Sequence, residues 1–301
     1  MGHTKWLIGK IMKKLVAIVG QTSSGKSSLG ISLAKFFDGE IVSADSRQVY
    51  KGLDWCSGKV TKDEMAEVKH HLIDVARLGT QFSLYDFQEL AYEAIDKIHE
   101  KGKVPFLVGG TGLYSRSVIE GYPLEPAKPN QELRAKLEGL SLEELRHLCH
   151  EKGIKTEDET TCRRLIRLIE KESEQKKENE PRYDVLQIGI KFERAEIYER
   201  IKIRLEARMP HMIEEIKSLL AGGVSPEFLN TLGLEAKYVQ KYLNGEFSSY
   251  EEFFEELFKE ERHFAKRQQT WYNKEKNIVW LDAHDDLEDK AKKLIAEFLN
   301  N

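Results

Sequence analysis

The chain has 301 residues, room for one large domain or two smaller ones, with 40% hydrophobic residues, 33% charged residues and a formal net charge of −4. No run approaches the ~20 apolar residues that span a bilayer, and three cysteines without C-x-x-C spacing exclude a disulfide framework and a cysteine zinc site. An acidic total excludes a surface that grips nucleic acid everywhere, so any RNA site must be a local basic patch.

In chain order, the opening segment sets Lys5, Lys10, Lys13 and Lys14 around Trp6, Leu7, Ile8 and Ile11, which can be drawn as a short basic anchor. Met12-Lys13-Lys14 directly before an apolar run reads instead as a natural start, which makes residues 1–11 an extension. Leu15 to Val19 is the first strand, and Gly20-Gln21-Thr22-Ser23-Ser24-Gly25-Lys26-Ser27 follows it with the pattern G-x-x-x-x-G-K-S. Leu29, Ile31, Leu33 and Ala34 then carry helical spacing, so the loop sits where a strand hands over to a helix. That context makes a phosphate cradle. Backbone N–H groups of Thr22 to Ser27 point inward at a helix N-terminus, Lys26 adds a full charge, and the Ser27 hydroxyl is a ligand for Mg2+.

The second strand, Glu40 to Ala44, ends in Asp45-Ser46-Arg47-Gln48. In an open parallel sheet an aspartate at a strand's carboxyl end, beside the strand that feeds the phosphate loop, faces the ligand crevice. Asp45 then serves as a general base or as an outer-sphere Mg2+ partner, the plainer reading being a helix cap following the strand. A strand over His71 to Val75 follows, and His70-His71, lacking further ligands at metal spacing, is expected to order the crevice. Phe87, Leu90, Ala91, Ala94, Ile95 and Ile98 mark one buried helix face. The strand Val104 to Val108 ends in Gly109-Gly110-Thr111-Gly112, whose backbone donors and Thr111 hydroxyl are expected in the same crevice.

Alternating strand and helix means a parallel sheet with covered faces. The rhythm stops at Gly121-Tyr122-Pro123, and Pro123, Pro126 and Pro129 punctuate a connector. Residues 122–181 read as an inserted helical subdomain, with a capping box at Ser141 and Glu144 and a charged run from Lys171 to Glu180. The chain re-enters the sheet at Val185 to Phe192, forms a long helix from Arg194 to Gly222-Gly223, and adds a last strand at Ile278 to Leu281. Arg200, Arg204 and Arg208 form a stripe four residues apart, which is either a cationic wall or a solvated face paired with Glu196. The expected fold is α/β, a P-loop NTPase-like parallel sheet flanked by helices, with residues 12–121 and 182–301 as the core.

Five blocks in this order carry a resemblance: Gly20 to Ser27, Glu40 to Tyr50, His70 to Asp74, Gly109 to Tyr114, and Lys266-Arg267-Gln268-Gln269-Thr270-Trp271. Together they resemble the tRNA dimethylallyltransferases over about Leu15 to Ala283. The resemblance implies transfer of a dimethylallyl group from its diphosphate to the N6 amine of the adenosine 3′ of the anticodon, in tRNAs that read codons starting with U. It implies Asp45 as the base, Thr111 as the group that orients the amine, and Lys26 with Mg2+ at Ser27 on the leaving diphosphate. It adds Arg204 as a further diphosphate cation. Asp45, Ser46, Arg47 and Gln48, together with Arg163, Arg164 and Arg167 in the insertion, match the segments that hold tRNA, with Lys266 and Arg267 as further candidates beside Trp271. The partners implied are a tRNA anticodon stem-loop and dimethylallyl diphosphate, for a cytoplasmic enzyme that works as a monomer. Gln21 stands where the family usually has proline, and Trp55-Cys56 replaces its usual Ile-Gly.

Three other readings use the same residues. One is an adenylate isopentenyltransferase on free nucleotide, and one is a small-molecule P-loop kinase that binds ATP. The third is a switch or RNA-binding protein without catalysis, against which intact Lys26, Ser27, Asp45 and Thr111 speak.

Overall fold

The computed structural model describes residues 12–126, 131–154, 161–170 and 178–301. The N-terminal extension, Pro129 and most of the run Lys171 to Glu180 lie outside the described residues. The β-branched runs form one sheet of six strands: β1 (Lys13–Val19), β2 (Gly39–Ser43), β3 (His70–His71), β4 (Val104–Gly109), β5 (Tyr183–Lys191) and β6 (Ile278–Asp282), in the order β3-β2-β4-β1-β5-β6. Every pair is parallel. The strand expected over His71 to Val75 is shorter. Leu72 and Asp74 take positive φ values of 63° and 57°, which no strand tolerates, and the chain turns off the sheet there. The expectation that β2 lies beside β1 is also corrected, since β4 stands between them.

Helices cover both faces. The pleat of β1 sends Leu15, Ala17 and Val19 into a cluster with Phe87, Ala91, Ile95 and Ile98 of α3 (Leu84–Glu100). Val16 and Ile18 point the other way, against Leu29 and Leu33 of α1 (Lys26–Phe36) and Ala291 and Ile295 of α12 (Leu287–Asn300). All five core residues of β1 are at most 1% exposed, as a strand covered on both faces requires. The short α2 (Lys62–Glu67) lies between β2 and β3 in sequence, and α4 (Gly112–Ile119) follows β4.

A second apolar cluster builds a helical layer from α8 (Arg194–Ala221), α9 (Pro226–Asn230), α10 (Leu234–Leu243) and α11 (Tyr250–Tyr272). Val49, Tyr50, Leu53 and Cys56, from the loop after β2, are buried in it. That loop begins at Asp45, so the helical layer anchors it.

The chain divides into two compact units, one running to Tyr122 and resuming at Glu180, the other Pro123–Asn179. The second holds α5 (Gln131–Glu138), α6 (Leu142–Glu151) and α7 (Cys162–Glu170) around its own core of Leu137, Leu145, Cys149, Leu165, Ile166 and Ile169. Ser141 caps α6 with both reciprocal bonds of the capping box, its hydroxyl accepting from Glu144 N at 3.3 Å and its own N–H donating to Glu144 Oε2 at 2.7 Å.

Candidate active site

The carboxyl ends of β2, β4 and β1 lie side by side, with Ser43 in register with Val108 and Val19 with Gly109. Each strand delivers one loop to the same level: β1 the loop Gly20–Gly25, β2 the turn from Asp45, and β4 the segment Gly110-Thr111. Gly109 is glycine for a steric reason, since a Cβ there would stand 2.2 Å from the Ala44 carbonyl oxygen. The two strand ends can approach this closely only without it.

The β1 loop is wound tightly, with left-handed Ser23 (φ 59°) and Gly25 (φ 80°). Ser24 Oγ donates to Gln21 O at 2.9 Å and Lys26 Nζ to the same carbonyl at 2.5 Å, which closes the turn. Gly25 caps α1 with no side-chain acceptor, leaving the first N–H groups of that helix to serve an anion. Ser23 Oγ is buried without a hydrogen-bond partner, and the half-buried Ser27 hydroxyl makes no hydrogen bond to the described residues. Burial and the nearby Arg204 push the Lys26 ammonium down to a pKa of about 7, with Asp45 opposing.

The arginine stripe of α8 lies against the loops as a cationic wall, with Arg200 still exposed, so the solvated reading is corrected for Arg204 and Arg208. Arg200 Nε donates to Ser23 O at 2.7 Å, while Arg204 donates from Nη1 to Thr22 Oγ1 at 3.1 Å and from Nη2 to Gly58 O at 3.2 Å. Arg208 is buried and reaches Trp55 O and Glu235. Glu196 pairs with His284 instead. Burial, then Arg208, hold the Arg204 pKa below its usual value, while Glu261, Glu235 and Asp45 pull it up. A guanidinium stays charged under such pressure.

Asp45 Oδ1 accepts from the N–H groups of Arg47 at 2.8 Å and Gln48 at 3.3 Å, so the carboxylate caps a turn and not the helix of the plainer reading, the next helix beginning only at Lys62. Only one oxygen is spent in this way. Oδ2 makes no hydrogen bond to the described residues, and the charge of Asp45 is felt at Lys26 and Arg204. Thr111 Oγ1 accepts from Ser46 N at 3.2 Å, which ties the β4 loop to the Asp45 turn.

Thr22, Ser23, Ser24, Gly25, Lys26, Ser27, Asp45, Ser46, Thr111 and Arg204 therefore share one crevice. Arg47, half-buried, borders Gly233 at the start of α10. Gln48 turns inward, its amide bonded to Gly58 O at 3.3 Å and to Ser43 Oγ at 3.4 Å, so it holds the loop rather than presenting a hydrogen-bonding edge. Lys266 and Arg267 are exposed on α11, and Trp271 packs over Gly112 at the border of the core. Arg163, Arg164 and Arg167 belong to the second unit. Arg163 and Arg164 are exposed there, and Arg167 shares Glu170 with Arg134. His71 is not in the crevice: Glu40, which also takes Lys101, binds it at 2.7 Å, and His70 bonds Val68 O at the sheet edge.

Two residues of α11 complete the site beyond what sequence reasoning found. Gln268, expected only as part of the cationic tail, accepts from Thr22 N at 2.8 Å and donates to Gly110 O at 2.8 Å, bridging the β1 and β4 loops. Glu261 is buried near Arg204 and Arg208, with one oxygen unpartnered. Burial, reinforced by Glu235, raises its pKa against the pull of the two arginines. A signal for Glu261 exists in the sequence: it interrupts the buried stripe Phe253, Leu257 and Ala265 at helical spacing.

A phosphate loop on a parallel sheet, sharing its crevice with a half-free carboxylate, the buried Lys26 and the half-buried Arg204, defines a P-loop α/β enzyme. Residues 48–275 match the family model described as IPP transferase, and the chain belongs to that family. It is 43% identical over 281 residues to tRNA dimethylallyltransferase 2 of Treponema denticola, covering 89% of this chain and 94% of that protein. The crystal structure of the full-length tRNA isopentenylpyrophosphate transferase from Bacillus halodurans superposes with a TM-score of 0.73 at 35% identity, covering 96% of both chains. That of the tRNA delta(2)-isopentenylpyrophosphate transferase from Staphylococcus epidermidis gives 0.71 at 32% identity, covering 96% of this chain and 99% of the other.

Proposed function

We propose that the enzyme alkylates the N6 amine of the adenosine 3′ of the anticodon, in tRNAs reading U-starting codons, and that the residues of the crevice divide the chemistry as follows. As a member of its family the chain is a transferase that moves a dimethylallyl group onto a tRNA adenosine. The observation that carries the finer reading is the meeting of the phosphate cradle, the buried Lys26, the half-buried Arg204 and the half-free Asp45 at three neighbouring strand ends.

An adenine amine is a poor nucleophile because its lone pair is delocalised into the ring. As its nitrogen bonds to C1 of the dimethylallyl group, the bond from C1 to the diphosphate oxygen breaks and the amine proton passes to Asp45 Oδ2. Thr111, fixed by Ser46, orients the amine. The N–H groups of Ser23 to Ser27, the unpartnered Ser23 hydroxyl, Lys26 and Arg204 stabilise charge growing on the leaving diphosphate, the electrostatic contribution that usually dominates, while the Thr22 N–H is held by Gln268.

Mg2+ fits the donors present. They are hard oxygens, the Ser27 hydroxyl and the Asp45 carboxylate, and the described residues contain no group of three or more His, Cys, Asp or Glu able to cage a metal. Mg2+ is typically held by one or two protein oxygens and the substrate's own phosphates. Ser27 would hold the ion, with Asp45 outside its direct shell, and the bound ion supplies further neutralisation of the diphosphate.

Asp45, Ser46 and Arg47 would receive the target base, with Gln48 fixing their turn, and Arg163, Arg164, Arg167, Lys266 and Arg267 would hold phosphates. No helix of the described residues is long and apolar enough to cross a membrane. We read the enzyme as a monomer acting where its tRNA substrate is, in the cytoplasm. The test is incubation with Mg2+, radiolabelled dimethylallyl diphosphate and an unmodified tRNA with an A-A-A run 3′ of its anticodon, followed by nucleoside digestion. Labelled N6-dimethylallyladenosine is expected; label on AMP, or ATP consumption, would move the reading to the free-nucleotide enzyme or to a kinase.

A further inference from the structure

Trp55 takes no part in the chemistry above, and 44% of it is exposed although the loop that carries it is held firmly. The Glu215 carboxylate on α8 accepts from three successive backbone N–H groups, Asp54 at 2.6 Å, Trp55 at 2.8 Å and Cys56 at 2.8 Å. Arg208 Nε donates to Trp55 O at 2.9 Å, and the Cys56 side chain is buried in the helical layer. All of these contacts use the backbone of residue 55 or its neighbours. None uses the indole.

The indole itself stacks on the exposed imidazole of His211, with ring centroids 4.0 Å apart and planes 18° apart. The result is a fixed aromatic surface open to solvent. Its place is specific: three residues on, the Gly58 carbonyl accepts from Arg204 at 3.2 Å and from Gln48 Nε2 at 3.3 Å. The same short loop thus touches the arginine of the phosphate cradle and the turn that presents Asp45.

We infer that Trp55, backed by His211, is a stacking platform for an unpaired base of the RNA beside the reacting adenosine. The inference rests on the reading of RNA as acceptor. A base taken out of an anticodon-loop stack leaves neighbours with uncovered π faces, and aromatic side chains hold single-stranded RNA by covering such faces whatever the base. A dimethylallyl chain is the poorer occupant, because an allylic cation-like carbon needs shelter from water and this indole is open to it.

The test uses the full-length protein, the unmodified anticodon stem-loop RNA, and the variants Trp55→Ala, Trp55→Leu and Trp55→Phe, each checked by thermal melting. Trp55→Ala is expected to weaken RNA binding about tenfold, the effect of losing one base–aromatic stack. Trp55→Leu should behave like Trp55→Ala because it restores volume without a π face, whereas Trp55→Phe should recover most of the affinity. The slope of log affinity against log salt should stay at the parent value, since no phosphate contact is removed. KM for dimethylallyl diphosphate should not move. Parent-like RNA affinity in Trp55→Ala, recovery by Trp55→Leu, or a raised KM for dimethylallyl diphosphate with RNA binding intact would each overturn the platform while leaving the enzyme's activity standing. A parent protein that binds and alkylates no RNA would overturn the acceptor reading and the platform with it.

Discussion

Lys26 has to be charged where the protein makes charge costly. Its pKa, pushed down to about 7 by burial and Arg204, lies well below the 10.5 of the unfolded chain, so between those values the unfolded state binds more protons than the folded one. Stability on this account rises as pH climbs from about 7 towards 10.5. A bound diphosphate reverses the preference by favouring the ammonium. Calorimetric titration with dimethylallyl diphosphate at pH 8, in two buffers of different ionisation enthalpy, should therefore show proton uptake by the parent and none by Lys26→Met, which should also bind more weakly. Equal uptake in both proteins would assign the proton elsewhere. Asp45 is tested by Asp45→Asn, because an amide oxygen can still accept from Arg47 and Gln48 and keep the turn. Single-turnover rates should fall ~100-fold or more for a lost general base, far more than tRNA affinity falls; a parent-like rate would remove Asp45 from that role. These residues were legible in the sequence because each sits in a short motif at a strand end. Gln268 and Glu261 were not legible as parts of the site, since they reach it through the packing of α11, with Gln268 more than 200 residues further along the chain than the loop it supports and Glu261 beside Arg204 and Arg208.

Strands and helices were legible where one period dominated. Five of the six apolar runs became strands nearly as expected, whereas the run His71 to Val75 gave only His71 to β3, and the i, i+4 spacing of Arg200, Arg204 and Arg208 put all three on the face of α8 that meets the loops. Strand order was not legible, because nothing in β2 or β4 distinguishes a neighbour of β1 from a strand one place further out. The early end of β3 carried no signal either, since neither Leu72 nor Asp74 is a glycine. The juxtaposition of β2 and β4 depends on one missing methyl group. Gly109→Ala would place a Cβ 2.2 Å from the Ala44 carbonyl and 2.8 Å from its Cα, atoms of backbone that cannot rotate away. Overpacking of this kind costs about 1–3 kcal/mol, so the melting temperature should fall by several degrees. Because the same displacement moves Thr111 away from Ser46, the rate of transfer should fall further than the stability loss explains. A variant that melts with the parent and keeps its rate would show that the two strand ends have slack.

Across the whole molecule the charge is −4, so attraction of an RNA polyanion has to be local. The proline connector marked the insertion in the sequence, and the unit Pro123–Asn179 has an apolar core of its own, which leaves the outward side chains of α7 to function. Three arginines lie on that helix, and they are not equivalent. Arg167 donates to Glu170 at 3.5 Å, a carboxylate that Arg134 also holds at 3.0 Å, whereas Arg163 is exposed. A phosphate contact by Arg163 releases a counterion that a preformed ion pair would partly have displaced already. Arg163→Ala should therefore lower the slope of log affinity against log salt by about 1, and Arg167→Ala by less, with KM for dimethylallyl diphosphate unchanged in both. Filter binding of the anticodon stem-loop between low and physiological salt measures the slopes directly. If both variants keep the parent slope, the insertion does not grip phosphates, and the basic patch has to be sought on the first unit, where Lys266 and Arg267 are the exposed candidates.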